Sequence, residues 1–234
     1  MRLVLITIMS CAFYLQALGQ DNKWYSSSGG EAILSWASVN SDGREGNVVT
    51  RFSGFFHFQS LVNKDFSQKS GFYTGLTMRN IGFIYDDPNN TSVRKKFRTY
   101  NLGIPVGIKM GNMEEKFMFF GYELEIPFNY KEKTFINEKK EDKFDVWFSD
   151  RTPSIMHTAF VGFRGPSGVS LKFKYYLTPM FNEDFTETTD TGSIQPYRGL
   201  EANVFYVALS FELFRNTDFT YDKPDESMAF HRKK

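Results

Sequence analysis

The chain has 234 residues, a formal net charge of +1, and an aromatic content of 18% that includes 26 Phe. So balanced a charge gives no electrostatic reason to expect a nucleic-acid partner. After residue 20, no window approaches the roughly 18 uninterrupted apolar residues of a membrane-spanning helix. A polar average still allows a membrane barrel, because barrel strands alternate lipid-facing and lumen-facing residues.

The N-terminus has the pattern of a secretory signal. Arg2 supplies a charged start, residues 3–18 are mostly apolar, and Ala17-Leu18-Gly19 offers small residues for cleavage. We predict a signal peptide over residues 1–19. Cys11, the only cysteine, leaves open a lipoprotein signal, but the apolar core before it would be short. A mature chain without cysteine has no disulfides, so its stability must come from the sheet.

A Ser/Gly-rich stretch, residues 20–30, is expected to be a flexible lead-in. Eight stretches after it have the composition and alternation of β-strands. They are residues 31–39, 48–60, 71–85, 101–110, 116–128, 154–164, 169–178 and 203–214.

The fourth and fifth stretches show the alternation most clearly. From Leu102 to Met110 and from Met118 to Phe128, every second residue is apolar, and a five-residue polar turn lies between the two runs. This is the pattern of a long antiparallel hairpin. The opposite face carries charges, which fits lipid outside and a polar lumen inside.

The connections also favour a barrel. An even number of strands brings both ends to the same side, and the short turns 111–115 and 165–168 alternate with long connections at 86–96, 131–152 and 183–200. The predicted fold is all-β, an eight-stranded antiparallel up-and-down transmembrane β-barrel. We expect it to cover residues 31–214 and to be followed by a polar periplasmic tail over 215–234.

Three strings of the sequence resemble a known group of proteins. They are GFYTGLTMRNIGFI at 71–84, YNLGIPVGIK at 100–109 and KFKYYL at 172–177. With them the chain resembles the small outer-membrane β-barrel proteins of Bacteroidota, PorT-like and related in plan to the OmpA/OmpX type. The resemblance implies a Gram-negative outer membrane and periplasmic termini. It also implies a role as an accessory part of a secretion or assembly machine.

Seven charged residues are predicted to face the lumen: Arg79, Lys109, Glu123, Glu125, Lys172, Lys174 and Glu212. The lumen of an eight-stranded barrel is filled by side chains, and buried charges there have to be paired. We therefore expect a network of ion pairs that fills the barrel. A narrow charge-lined pore or a proton-sensitive gate is the alternative. Acid–base catalysis by Glu123 and Glu125 is disfavoured because lysines share the lumen.

No catalytic, cofactor-binding or metal-binding constellation is recognisable. His57, His157 and His231 share no metal-ligand spacing. His157 is followed by Thr158-Ala159, whereas lipid A deacylases carry a Ser two residues after the His. We expect no enzymatic activity, no cofactor and no metal.

The charged connection 131–152 ends near Trp147 and Phe148. It is expected to be a solvated hairpin extension, and its aromatic pair could contact either a partner protein or the lipid headgroups. The predicted function is a non-enzymatic accessory or interaction subunit of an outer-membrane complex. Its partners would be outer-membrane lipid and a protein bound by loops 131–152 and 183–200 or by the tail. A pore and a secreted lipocalin-like carrier are the alternatives, but the carrier would need an apolar interior and a Gly-x-Trp start, where this chain has Asn22.

Overall fold

A computed structural model describes residues 23–88, 90–189 and 192–216. The predicted signal peptide and the tail from residue 217 lie outside the described residues. The described parts contain fourteen strands: β1 (Lys23–Ser41), β2 (Arg44–Glu45), β3 (Asn47–Val49), β4 (Arg51–Ser53), β5 (Phe58–Ser67), β6 (Ser70–Asp87), β7 (Asn90–Asn112), β8 (Lys116–Ile136), β9 (Lys139–Trp147), β10 (Met156–Arg164), β11 (Val169–Tyr176), β12 (Glu187–Thr189), β13 (Gly192–Ile194) and β14 (Leu200–Asn216). No helix long and apolar enough to cross a membrane occurs among them.

Twelve of these strands close into one antiparallel barrel, and β12 and β13 form a separate two-stranded sheet. Pairing runs in the order β10-β11-β14-β1-β5-β6-β7-β8, and β8 returns to β10 through residues 117–125. The second wall position consists of the pieces β3, β4 and β5, and the sixth consists of β9 and β10, so the barrel has eight strand positions. The expectation of an all-β, eight-stranded up-and-down barrel is confirmed.

The prediction of a flexible lead-in over residues 20–30 is wrong for the part that the structure describes. Residues 23–30 belong to β1 and pair with β5, and from Ser26 onward they also pair with β14. The Ser/Gly composition reflects close packing. At Gly29, beside a register shift, a Cβ would overlap the backbone of Phe211. The barrel therefore begins earlier than residue 31 and continues to residue 216.

Two predicted loops are mostly strand. β6 ends at Asp87 and β7 begins at Asn90, while a turn at 137–138 joins β8 and β9, so most of 86–96 and 131–147 continues the barrel wall. The sequence did not reveal these strands because they lack alternating apolar residues. They lie beyond the apolar belt, the band of exposed apolar residues such as Leu102 to Met110, and carry charged residues on their outward positions.

The wall is interrupted between β4 and β5. Residues 79–83 of β6 form no backbone ladder with the neighbouring pieces β3, β4 or β5. Side chains form hydrogen bonds to this stretch instead. Arg51 Nη2 donates to Asn80 Oδ1 at 2.6 Å, Asn80 N donates to His57 Nδ1 at 3.4 Å, and Ser35 Oγ donates to the Gly82 carbonyl at 2.7 Å. The second predicted strand, 48–60, is therefore three shorter pieces.

Candidate functional site: the filled lumen

Six charged side chains meet in the middle of the barrel. They are Glu31, Arg79, Glu123, Glu125, Lys172 and Lys174, and each is at most 5% exposed. Strand alternation turns all of them inward, from four wall positions. With three carboxylates and three cations, the group is formally neutral. We call it the central charge cluster.

The ion pairs in this cluster are connected to one another. Arg79 Nε lies 2.9 Å from Glu31 Oε2, and Lys174 Nζ lies 2.7 Å from Glu123 Oε2. Arg79 also pairs with Glu123, Lys172 with Glu31, and Lys174 with Glu125. Each cation contacts at least one carboxylate, which is the condition for burying charge in a low-dielectric interior.

Neutral donors satisfy the carboxylate oxygens further. Tyr176 Oη and Asn101 Nδ2 both donate to Glu125 Oε2, at 2.6 and 2.7 Å. Ser210 Oγ donates to Glu31 Oε1 at 3.0 Å, and Thr77 Oγ1 donates to Glu123. A buried network satisfied in this way fixes the arrangement of the surrounding strands.

Two of the seven predicted lumen charges lie outside the cluster. They are nearer the end of the barrel that carries the connections 113–115 and 165–168, which we call the short-turn end. Lys109 Nζ bonds to Asp65 Oδ1 at 2.5 Å and to Tyr25 Oη at 2.8 Å, and Glu212 Oε2 lies 2.6 Å from Arg164 Nη2. The structure thus brings together Arg79, both β8 glutamates and both β11 lysines, and separates Lys109 and Glu212 from them.

Sequence reasoning missed three partners: Glu31, Asp65 and Arg164. Glu31 shares the inward face of β1 with Ser35, so alternation could have identified it. Asp65 lies in what looked like a polar connection, and Arg164 at a strand end, where the facing direction is hardest to assign. With these three, the predicted set becomes five cations and five carboxylates, each in an ion pair.

Above the cluster, an aromatic core closes the lumen. The connection after β11 folds into the barrel mouth and buries Met180, Phe181 and Tyr197. Phe181 stacks on Tyr197 with ring centroids 4.8 Å apart and meets Phe97 edge-on at the same distance. Tyr197 and Leu200 are buried, which removes apolar area from water, whereas residues 192–196 and 198 of the same connection are exposed. A partner contact by the connection 183–200 therefore stays a prediction.

Hydrogen bonds hold this core at its polar side. Tyr130 Oη and Tyr197 Oη both donate to Glu132 Oε2, at 2.9 and 3.1 Å. Burial, and then the negative charge of Glu132, raise the pKa of Tyr197 above its ordinary value. Tyr197 therefore stays a neutral donor.

Between the central charge cluster and the short-turn end lies a cavity of about 70 Å³. Tyr73, Phe119 and Phe160 form its apolar wall, and Arg164 and Glu212 lie near its outer end. The space suits a few water molecules. It does not continue through the barrel, since the charge cluster and the aromatic core lie beyond it.

Among the described residues, Ser53 and His57 form a pair that resembles a nucleophile and its base, with Oγ and Nε2 2.7 Å apart. His57 Nδ1 accepts the backbone N–H of Asn80, so Nε2 carries the proton and donates to the Ser53 hydroxyl. A general base has to accept the proton of its nucleophile. The pair has the opposite polarity and serves to bond the interrupted wall.

The side chains of Trp147 and Phe148 are exposed on the outside of the barrel, at the end of β9. Trp147 stacks on Phe128 at 5.8 Å, and Phe128 contacts Tyr100 at 6.3 Å, so three rings form a row directly above the apolar belt. Phe148 is 77% exposed, with φ +48°. The row has the geometry of a headgroup belt, whereas a partner contact at Phe148 stays a prediction.

Gly103 leaves the space that the cluster needs. A Cβ there would lie 2.5 Å from Thr77 Oγ1 and closer still to Glu123 Oε1. We expect Gly103→Ala to lower the free energy of unfolding by about 1–3 kcal/mol through overpacking, measured by urea unfolding in detergent. Gly165→Ala is the matched control, because its Cβ would meet only the Val169 carbonyl oxygen, at 3.8 Å. Equal stability of the two variants would contradict the packing argument.

Fold and lumen together define a small eight-stranded antiparallel barrel with a filled interior. Neither a protein-family model nor a curated protein sequence matches the chain. Among solved structures it is similar to Ail, the attachment invasion locus protein of Yersinia pestis, crystallised with the heparin analogue sucrose octasulfate. That pair shares 11% identity over 83% of this chain and 99% of Ail, with a TM-score of 0.36.

Two further solved structures are similar. Neisserial surface protein A (NspA) is 11% identical over 81% of this chain and 96% of its own, with a TM-score of 0.35. OprG, an outer-membrane protein of Pseudomonas aeruginosa, is 10% identical over 86% and 99%, with a TM-score of 0.42. Identities and scores are low, so function has to be inferred from the residues of this chain. The resemblance to PorT-like barrels of Bacteroidota stays a prediction.

Proposed function

We propose that this protein is an integral barrel of a Gram-negative outer membrane, with periplasmic termini, and a non-enzymatic accessory or interaction subunit of an outer-membrane complex. The observation that carries the proposal is the filled lumen: the central charge cluster and the aromatic core close the barrel. In addition, the wall continues well beyond the apolar belt. Such a barrel is suited to anchoring and presenting a surface.

The membrane location rests on the outward face. Five consecutive outward residues of β7 are apolar and about half exposed: Leu102, Ile104, Val106, Ile108 and Met110. They cover roughly 26 Å of strand, which is about 20 Å of height at the usual tilt and most of the apolar band of about 25 Å in outer-membrane barrels. Exposed apolar residues on β8, β10, β11 and β14 extend this belt over consecutive wall positions. An apolar surface of this extent needs lipid.

The same polarity argues against a soluble carrier. A lipocalin-like protein buries an apolar ligand site inside and presents polar residues to water, whereas this lumen is charged at its centre and its exterior is apolar. A pore is disfavoured by the filled lumen. We expect the purified barrel to show no discrete conductance steps in a planar bilayer, and reproducible steps would favour the pore.

The surface for an interaction is the wall beyond the aromatic row. The β8–β9 hairpin projects past Trp147 to the turn between Ile136 and Lys139, and nearly all of β9 is exposed on both faces. A bare anchor needs no such extension. The tail from residue 217 lies outside the described residues and stays a predicted docking segment.

The test is an affinity purification of the tagged full chain from outer membranes in mild detergent, after cross-linking, with mass spectrometry. We expect a stoichiometric companion that is lost when the hairpin tip is altered by Lys139→Glu and Lys140→Glu. The same double substitution at Lys69 and Lys116, exposed lysines at the short-turn end, is the control. A lone, monodisperse barrel would contradict the accessory role.

A further inference from the structure

Positive charges lie directly opposite one another on the outward face of β7, β8 and β9. Lys96, Lys133 and Lys143 occupy one paired row across the three strands, and Arg98, Lys131 and Asp145 occupy the next row toward the belt. We call the five cations of these rows the cation patch. Asp145 is the one carboxylate in the two rows, and it pairs with Lys131 at 2.8 Å.

Among the described residues, the charge of the patch is only partly compensated: Asp145 pairs with Lys131, and Lys96 lies over the ring of Phe135. Like charges in directly opposite positions destabilise a sheet. Within the described parts of the chain, Lys96, Arg98 and Lys133 form no ion pair with a carboxylate. Partial burial lowers the pKa of Lys133, and so does the positive charge of four neighbours: Arg98, Lys143, Lys140 and Lys96. An anion bound here would remove a repulsion that the fold otherwise carries.

The patch borders a cavity of about 270 Å³ at the interruption of the wall, where the buried Arg51 and Phe97 line it together with outward-facing residues. Lys96, Arg98, Lys131 and Lys133 supply its polar side, and Phe52, Ile84 and Phe135 supply apolar walls. Phe52, on β4, is 68% exposed, and it borders the cavity where the ladder between β4 and β6 is missing. A ligand here meets cations and exposed apolar surface together.

The height of the patch matches the headgroup layer of a bilayer. On β7, Arg98 and Lys96 precede Tyr100 of the aromatic row by two and four residues, which places them about 7 and 13 Å along the strand from it, on the side away from the belt. The headgroup region extends about 5–8 Å beyond the hydrocarbon on each side. Tilted strands therefore put the two rows at the level of the headgroups and just outside it.

We propose that the cation patch binds the phosphate groups of a phosphorylated glycolipid in the outer leaflet of the membrane. Arg98 offers a planar fork of N–H donors to phosphate oxygens, and Lys96 and Lys133 add two point charges. Phe52 and Phe135 contact the apolar part of the lipid. A lipid is favoured over a free anion because the site is continuous with the apolar belt, whereas a soluble phosphate would leave those aromatic walls in water.

The test uses the full chain in neutral-detergent micelles, titrated with lipid A and with its fully dephosphorylated form. We expect lipid A to bind at least tenfold more tightly than the dephosphorylated form, with an affinity that falls as salt rises. The double variant Lys96→Gln/Lys133→Gln should lose at least tenfold in affinity for lipid A. Without lipid it should be as stable as the wild type or more stable, because a like-charge contact has been removed.

Lys69→Gln/Lys116→Gln is the matched control, since it removes the same charge at the short-turn end and should leave lipid A affinity unchanged. Equal binding of the two lipids, or full retention of affinity by Lys96→Gln/Lys133→Gln, would overturn the proposal. So would inorganic phosphate binding as tightly as lipid A, which would indicate a soluble anion. The inference rests on the proposed membrane location but not on the accessory role, because the titration is made on the isolated chain.

Discussion

Replacing Arg79 by Met is expected to lower the free energy of unfolding of the barrel by about 3–5 kcal/mol, the usual cost of removing one partner from a buried ion pair. Arg79 is 2% exposed and contacts Glu31, Glu123 and Glu125. Without it, three buried carboxylates share two lysines. Urea unfolding in lipid vesicles, followed by the gel mobility of the folded barrel, measures the loss.

A second substitution separates charge from packing. Glu123→Gln added to Arg79→Met leaves two carboxylates and two lysines, so the double variant should recover part of the stability, and the two effects should be non-additive. Arg79→Lys keeps the charge and should lose less than Arg79→Met. Wild-type stability in Arg79→Met would show that the network contributes nothing, and strictly additive losses would assign the effect to packing.

Alternation with period two is a local property, and it could be recognised in the sequence wherever the outward face of a strand is apolar. The β7–β8 hairpin is the clearest case. On β7, the even-numbered residues from Leu102 to Met110 point outward, and the odd-numbered residues from Asn101 to Lys109 point inward and are buried. A slip of one residue would exchange the two faces, so the register is strongly specified. This is why the strand number, the antiparallel order and the inward direction of the lumen charges could be predicted.

The pairing of those charges could not be read in the same way, because it depends on the stagger of strands far apart in sequence. Lys109 shares the inward face of β7 with Asn101, yet it pairs with Asp65 of β5, while Lys172 pairs with Glu31 across 141 residues of sequence. Tilt and shear fix such contacts only once the barrel has closed.

Segments outside the belt were predicted least well. Charged and polar residues alternate in them, and such a composition resembles that of a loop. For this reason the sequence predicts connections over 86–96 and 131–152, where the structure has the first residues of β7 and all of β9. The infolded connection after β11 is a different case. Met180 and Phe181 are a short apolar pair next to an acidic run, and only the space left by Phe83 and Phe97 in the barrel mouth shows why they are buried.

Replacing Val106 by Arg is expected to lower the free energy of unfolding in a phospholipid bilayer by about 2–4 kcal/mol, the cost of an arginine on the lipid face near the midplane of a barrel. Val106 is the middle of the five apolar outward residues of β7 and is 53% exposed. If this face met water, an arginine at such an exposed position would change stability by less than about 0.5 kcal/mol.

Ile194→Arg supplies the matched control. Ile194 is 47% exposed, close to Val106, but it lies on the β12–β13 hairpin at the loop end, away from the belt. Equilibrium unfolding of both variants in the same vesicles then compares one side chain at similar exposure in two places. A loss confined to Val106→Arg supports a belt embedded in lipid. Equal, small effects at both sites would mean that the belt is covered by something other than a bilayer, and the membrane location would have to be abandoned.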